Sequence, residues 1–143
     1  MKQLIFNSLK NLPGWKTKRK LLVISVDDYG NVRLDSRQAR DGMDKAGLKI
    51  HSRFDAYDTL ETREDLEGLY EVLTSVKDKN GRHAVFTPFA MPCNINFEGM
   101  AEEAEREYVL ENLPEKYHKL EEIHPEAYNG AWDLWQEGRK KGL

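Results

Sequence analysis

The stretch that decides the fold is residues 21–31, which read LLVISVDDYGN. An apolar run with several β-branched residues predicts a strand buried on both faces, as in the parallel sheet of an α/β protein. The run ends at two adjacent carboxylates, Asp27 and Asp28, and a Gly-Asn turn signal follows them. Because α/β folds carry their chemistry at the carboxyl ends of strands, these two residues, the acidic pair, are the first candidate site residues.

The bulk composition predicts a single soluble domain. The chain has 143 residues, of which 39% are hydrophobic and 33% are charged, and its net charge is −3. The single cysteine, Cys93, excludes an internal disulfide and a cysteine-based zinc site. Residues 1–15 lack the features of a signal peptide, and no later stretch has the length of a membrane span. We therefore expect a cytoplasmic protein with no membrane partner.

Basic residues are concentrated ahead of the first strand. The first forty residues carry nine Lys or Arg against three Asp, and Lys16, Lys18, Arg19 and Lys20 account for most of this excess. Such a cluster can contact phosphates, but basic residues beside a strand more often form a solvated edge. We favour the solvated edge and expect no nucleic-acid partner.

Two helices are predicted after the first strand. Ser36 is placed to cap a helix that ends at Gly47. Residues 48–60 read as a long loop, a feature that is often functional. A second helix follows, in which Thr62 and Asp65 resemble a capping box and apolar residues recur at helical spacing up to Asn80-Gly81. A short leading helix is also predicted for residues 3–11.

The second half of the chain predicts one more strand and then helices. Residues 83–87 read as a short buried strand that ends before Pro88. From Gly99 onward the sequence is helical and acidic, Pro114 and Pro125 suit first helical positions, and Gly142 suits a C-cap. The strand–helix–helix–strand order implies parallel strands joined by a crossover, hence the α/β class.

The chain stops where an alternating pattern would begin a third strand. Two parallel strands alone leave sheet edges and apolar faces uncovered. We therefore expect residues 1–143 to form a single incomplete domain, the front part of a larger α/β fold.

The acidic pair has two interpretations that the residues alone leave open. At a strand end both carboxylates can reach one cleft, where one binds a metal and the other acts as a general base. Alternatively, Asp-Asp-x-Gly-Asn is a turn with side-chain hydrogen bonds to the backbone.

Further metal ligands are hard to find along the chain. The four histidines are His51, His83, His118 and His124, and no two of them have the i, i+4 spacing of a helical metal motif. A structural or exposed position is favoured for each of them, with His51 in the long loop the most open to ligation. Asp55 and Asp58, with Arg53, are better placed in that loop as candidates for binding substrate or supporting the site.

Other chemistry-bearing residues favour ordinary roles. Cys93 has no histidine partner in the sequence, and Ser25 lacks the Gly-x-Ser-x-Gly context of a nucleophile. Trp132 and Trp135 could stack on a sugar, but an aromatic face on an amphipathic helix is more often part of the core.

The segment from Val23 to Gly30 resembles the first motif of the polysaccharide deacetylases, carbohydrate esterases that include chitooligosaccharide deacetylases. That motif is a buried strand ending in Thr-Phe-Asp-Asp-Gly, whereas here Ser-Val replaces Thr-Phe and Tyr29 precedes the glycine. Residues 53–67 and 84–87 are similar to a bacterial subgroup of deacetylase-like proteins. The resemblance spans about residues 20–143.

The resemblance implies a fold and a chemistry. The fold is an irregular (β/α) barrel, of which this chain would hold the N-terminal part. The implied function is metal-dependent hydrolysis of acetylated oligo- or polysaccharide, with Asp27 as general base and Asp28 as a ligand of zinc or a similar divalent metal. The His-x-x-x-His motif that supplies the other ligands in the family is missing. We therefore expect little activity from this chain, and the alternative is an inactive product that persists by self-association into a homo-oligomer.

Overall fold

The computed structural model describes residues 6, 9, 13, 16–34, 36–50, 52–57, 59–102 and 107–143. They form a mixed α/β structure. Its elements follow in the order β1 (Ile24–Tyr29), α1 (Arg37–Lys45), α2 (Arg53–Tyr57), α3 (Arg63–Ser75), β2 (Phe86–Ala90), β3 (Cys93–Ile95), α4 (Phe97–Glu102), β4 (Leu110–Asn112), α5 (Leu113–Ile123), α6 (Pro125–Tyr128) and α7 (Ala131–Lys141).

The strands of the described residues form two separate two-stranded sheets. β1 pairs with β2 in parallel, and the connection between them contains α1, α2 and α3. This confirms the predicted parallel arrangement of the first two long strands. β3 and β4, which the sequence pattern did not predict, pair antiparallel beside them.

The bounds of the second strand were predicted wrongly. β2 runs from Phe86 to Ala90, so Pro88 lies inside the strand, opposite Val26 of β1, instead of ending it. Proline is tolerated on an edge strand, where its missing N–H faces away from the partner. His83 lies outside the strand and forms an isolated bridge with Lys77.

The expectation of a strand buried on both faces is also wrong. Five of the six residues of β1 are exposed and only Tyr29 is buried. The segment leading into β1 is more exposed still, with Leu22 at 87% of its full accessible surface. The physical reason is that the helices bury their apolar faces mainly against one another, which leaves the first half of β1 uncovered.

The core lies among α3, α5, α6 and α7. It is centred on fully or almost fully buried residues, namely Leu60, Leu66, Leu113, Tyr117, Tyr128 and Ala131. Trp132 and Trp135 pack against this cluster and stack on each other with ring centroids 5.3 Å apart. Their assignment to the core is therefore confirmed.

Local capping signals predicted several helix ends correctly. The hydroxyl of Ser36 accepts a hydrogen bond from the Ala39 N–H, and Thr62 with Asp65 forms a complete capping box. Gly142 ends α7 in the left-handed conformation. These interactions satisfy N–H and C=O groups that a helix end leaves without partners.

Two predictions about the helices and the long loop need correction, and a third lies mostly outside the described residues. α3 ends at Ser75, before Asn80-Gly81, because Val76 is extended and Asp78 organises a turn. The long loop of residues 48–60 contains the short helix α2. Most of the leading helix predicted for residues 3–11 lies outside the described residues. No helix in the described ranges combines the length and apolar character needed to cross a membrane.

Candidate functional site

The acidic pair forms a bulge in the parallel sheet. Val26 lies opposite Pro88 and Tyr29 lies opposite Ala90, so Asp27 and Asp28 together occupy the space that one residue fills on β2. A regular strand would place Val26 and Tyr29 on opposite faces. The extra residue places them on the same face, and bulges of this kind are frequent beside active sites.

Asp28 has an unusual backbone conformation. Its φ of 55° makes it the one non-glycine residue with positive φ in the described part of the chain. The left-handed region costs an ordinary L-residue roughly 1–2 kcal/mol, although aspartate tolerates it better than most. The turn continues with a hydrogen bond from the Asn31 N–H to the Asp28 carbonyl at 3.3 Å and with Gly30 at φ 78°.

Both carboxylates of the acidic pair are accessible. Asp27 and Asp28 are exposed, and 63% of the Asp28 side chain is open to solvent. The guanidinium of Arg33 lies 3.8 Å from Asp28 Oδ2 and also stands over the ring of Phe54, 5.4 Å from its centroid. The pair is therefore open to a ligand, with one positive charge beside it.

Asn94 holds the turn that follows the acidic pair. Its side chain is buried, Nδ2 donates to the Gly30 carbonyl at 3.0 Å, and Oδ1 accepts from the Val32 N–H at 2.8 Å. Asn94 lies on β3, so the small antiparallel sheet fixes the path of the chain out of β1. Each bond satisfies a backbone group that would otherwise lack a partner.

Tyr29, which directly follows the acidic pair, belongs to a cluster of tyrosines around Glu61. The Tyr117 hydroxyl donates to Glu61 Oε2 at 3.2 Å, and the hydroxyl of Tyr29 faces the same carboxylate. Burial raises the pKa of Glu61, and the nearby Asp65 raises it further, while the hydrogen bond from Tyr117 opposes the shift. Burial and the charge of Glu61 raise the pKa values of Tyr29 and Tyr117 as well.

The described residues do not complete a metal site. Nowhere in that part of the chain do three or more His, Cys, Asp or Glu side chains lie close enough to hold a metal ion. His118 and His124 are exposed on the helical half, as expected, where they lie near Glu121 and Glu126. His51 and Asp58 lie outside the described residues.

The loop candidates Asp55 and Arg53 have contacts within their own segment. Asp55 accepts hydrogen bonds from the N–H and hydroxyl of Ser52, which organises the start of α2. Arg53 stands over the ring of Phe54, 5.0 Å from its centroid. Phe54 thus lies near both Arg33 and Arg53.

Two residues that shape the site were missed in the sequence. Asn94 lies between the strand predicted for residues 83–87 and the helices predicted from Gly99 onward, and Glu61 lies directly before the capping box formed by Thr62. Both act across more than 30 positions of sequence separation. The weak signal for Asn94 is the polar Asn-x-Asn at residues 94–96 between apolar neighbours.

Comparison of the chain with sequence models of protein families, with curated proteins and with solved structures found no match. The deacetylase resemblance therefore rests on the residues of this chain alone.

Proposed function

We propose that this chain carries the carboxylate half of a metal-dependent hydrolase site of the polysaccharide deacetylase type, within the N-terminal part of an irregular (β/α) barrel. The observation that supports the proposal is the bulge formed by Asp27 and Asp28 at the carboxyl end of β1. It combines accessible carboxylates with a backbone conformation that a plain strand end does not require.

The two carboxylates have different roles in this proposal. Asp27 accepts the proton of the water that attacks an acetyl group, and Asp28 is one ligand of a divalent metal. The substrate is an acetylated oligo- or polysaccharide. Asn94 is a positioning residue, since it holds the backbone at Gly30 and Val32 directly after the pair.

The half-site should be inactive in isolation. A catalytic zinc normally has three protein ligands and one open position, and the described residues bring no such set together. We expect no release of acetate from acetylated chitooligosaccharides by the 143-residue chain. Isothermal titration with Zn²⁺ or Co²⁺ should likewise show no tight stoichiometric binding, and tight binding would contradict an incomplete site.

Weak metal binding at the pair is the positive test. Mn²⁺ titrated into ¹⁵N-labelled protein should broaden the amide signals of residues 26–31 and 89–91 first, because a paramagnetic ion relaxes nearby nuclei. Asp28→Asn should abolish this broadening. Asp133→Asn, which removes an exposed carboxylate in the first turn of α7, should leave it unchanged. Broadening centred elsewhere, or unaffected by Asp28→Asn, would overturn the proposal.

Self-association is the second candidate, because the apolar side chains around β1 are exposed. Leu21, Leu22 and Val23 retain 63%, 87% and 74% of their accessible surface, and Phe89 on β2 retains 58%. Within the described residues each strand of this sheet also has an edge without a partner strand. Exposed apolar edges are templates for pairing with a second copy.

Sedimentation velocity over a wide range of protein concentration tests this candidate. Self-association through β1 predicts dimers that Val23→Lys removes. Val72→Lys is the matched control, since Val72 is 65% exposed on α3, away from the sheet. A single monomeric species at high concentration would exclude the candidate.

A further inference from the structure

A cavity of about 370 Å³ lies between the start of α1, the short helix α2 and the helices α5 and α6. We call it the α1–α5 cavity. Val32, Leu34, Ala56 and Leu120 give it an apolar floor. Ligand pockets in proteins begin at about this size, and they usually combine an apolar surface with a few polar groups.

The described polar lining of the α1–α5 cavity carries more cations than carboxylates. It includes three cations, Arg37 and Arg40 from α1 and Lys116 from α5, together with His124 at the end of α5 and the carboxylate of Asp55. Two of these cations are largely shielded from water, since the Arg40 and Lys116 side chains are 26% and 17% exposed. Charges that are poorly screened attract a counter-ion more strongly than exposed ones.

Two of the lining cations form ion pairs with acids outside the lining. Arg40 bonds to Asp41 at 3.1 Å and Lys116 bonds to Glu111 at 2.9 Å, and neither of these acids lines the cavity. Glu111 is shared with Lys119, which lies 2.8 Å from its other oxygen. Asp55 already accepts two hydrogen bonds from Ser52. Arg37 adds a further cation to the lining.

From this arrangement we propose that the α1–α5 cavity binds a small organic anion through its carboxylate or phosphate group. The anionic group lies against Arg37 and Arg40, whose guanidinium groups form charge-assisted hydrogen bonds with both kinds of anion. The uncharged part of the ligand lies on the apolar floor. A cation would meet repulsion from Arg37, Arg40 and Lys116. The site is independent of the acidic pair and of the function proposed for it.

Titrations of the ¹⁵N-labelled 143-residue chain with inorganic phosphate and, separately, with acetate test the proposal at constant ionic strength. We expect saturable shifts of the amide signals of Ser36, Arg37, Arg40 and Lys116. Arg37→Gln should weaken binding at least about tenfold. Lys45→Gln, which removes a cation from the last turn of the same helix outside the cavity, should change it less than about twofold.

The two probes identify the anionic group. Saturation by phosphate alone indicates a phosphate ester, and saturation by acetate alone indicates a carboxylic acid. Shifts that grow linearly without saturation overturn the proposal, as do shifts confined to Lys16–Lys20 and shifts that Arg37→Gln leaves unchanged. The same spectra show whether each variant is folded.

Discussion

Val26 and Tyr29 lie on the same face of β1 although they are three positions apart, because Asp27 and Asp28 bulge out between them. Val26 is 42% exposed, whereas Tyr29 is buried, 8% exposed, with its ring packed edge-on against Phe86 at 5.5 Å. The bulge thus links two features of the molecule. It contains the exposed acidic pair, and it is followed by the Tyr29 side chain, which lies near Glu61 and Tyr117.

The left-handed conformation of Asp28 predicts an unusual order of stability among variants. Asp28→Ala and Asp28→Gly both remove the carboxylate, but only glycine adopts positive φ without strain. We expect the alanine variant to be less stable than the glycine variant by about 1 kcal/mol in urea unfolding.

Position 27 is the matched control for that comparison. Asp27 does not have positive φ, so alanine should be the more stable replacement there. Equal stabilities for alanine and glycine at position 28 would contradict the strained backbone.

Removing the two hydrogen bonds of the Asn94 side chain should have both a local and a global effect on the protein. Asn94→Ala leaves the Gly30 carbonyl and the Val32 N–H without their partners, which should cost about 2–3 kcal/mol of stability. Amide hydrogen exchange should show loss of protection at Val32. Asn80→Ala, in an exposed turn, should change neither measurement at that site. Retained protection at Val32 would show that another group holds the turn.

Local features of this fold were predictable from sequence, and features that depend on distant partners were not. The caps at Ser36 and Thr62 were predictable because the bonding groups lie within three residues of each other. The change in polarity predicted that the first strand ends at Val26, but β1 runs from Ile24 through the acidic pair to Tyr29. The bulge was not predictable, because register depends on the partner strand, more than 50 positions later. Burial of β1 was predicted wrongly because composition does not reveal what packs on a strand.

The raised pKa of Glu61 predicts that ionisation of this residue opposes folding. Burial holds the pKa above its usual value of 4.5, so the folded protein binds the proton more tightly than the unfolded chain. This contribution to stability is complete below pH 4.5 and is lost as the pH rises through the folded pKa. Glu61→Gln, which resembles the protonated acid, should therefore gain stability relative to the wild type between pH 4 and pH 8, as measured by urea unfolding at each pH.

Glu111 should affect the pH dependence of stability in the opposite direction, so it serves as the control for Glu61. Burial opposes its ionisation, but Lys119 and Lys116 outweigh burial and hold the pKa below its usual value. Glu111→Gln should therefore cost roughly 1–3 kcal/mol at neutral pH, and the loss should disappear as the pH falls through the folded pKa. Parallel pH profiles for the two glutamine variants would contradict at least one of the two assignments.

Gly138 predicts a packing constraint between α3 and α7. A Cβ at this buried position would overlap the phenol of Tyr70, so Gly138→Ala must displace that ring and should cost about 1–3 kcal/mol. Gly42→Ala in α1 is the matched control, because nothing lies within 4 Å of a Cβ there, and it should gain up to about 1 kcal/mol from helix propensity alone. In a Tyr70→Ala background the overlap is gone, so Gly138→Ala should stabilise as Gly42→Ala does. Thermal unfolding of Gly138→Ala, Gly42→Ala, Tyr70→Ala and the double variant tests this prediction. If Gly138→Ala costs the same stability with and without the tyrosine ring, α7 does not approach α3 at this position.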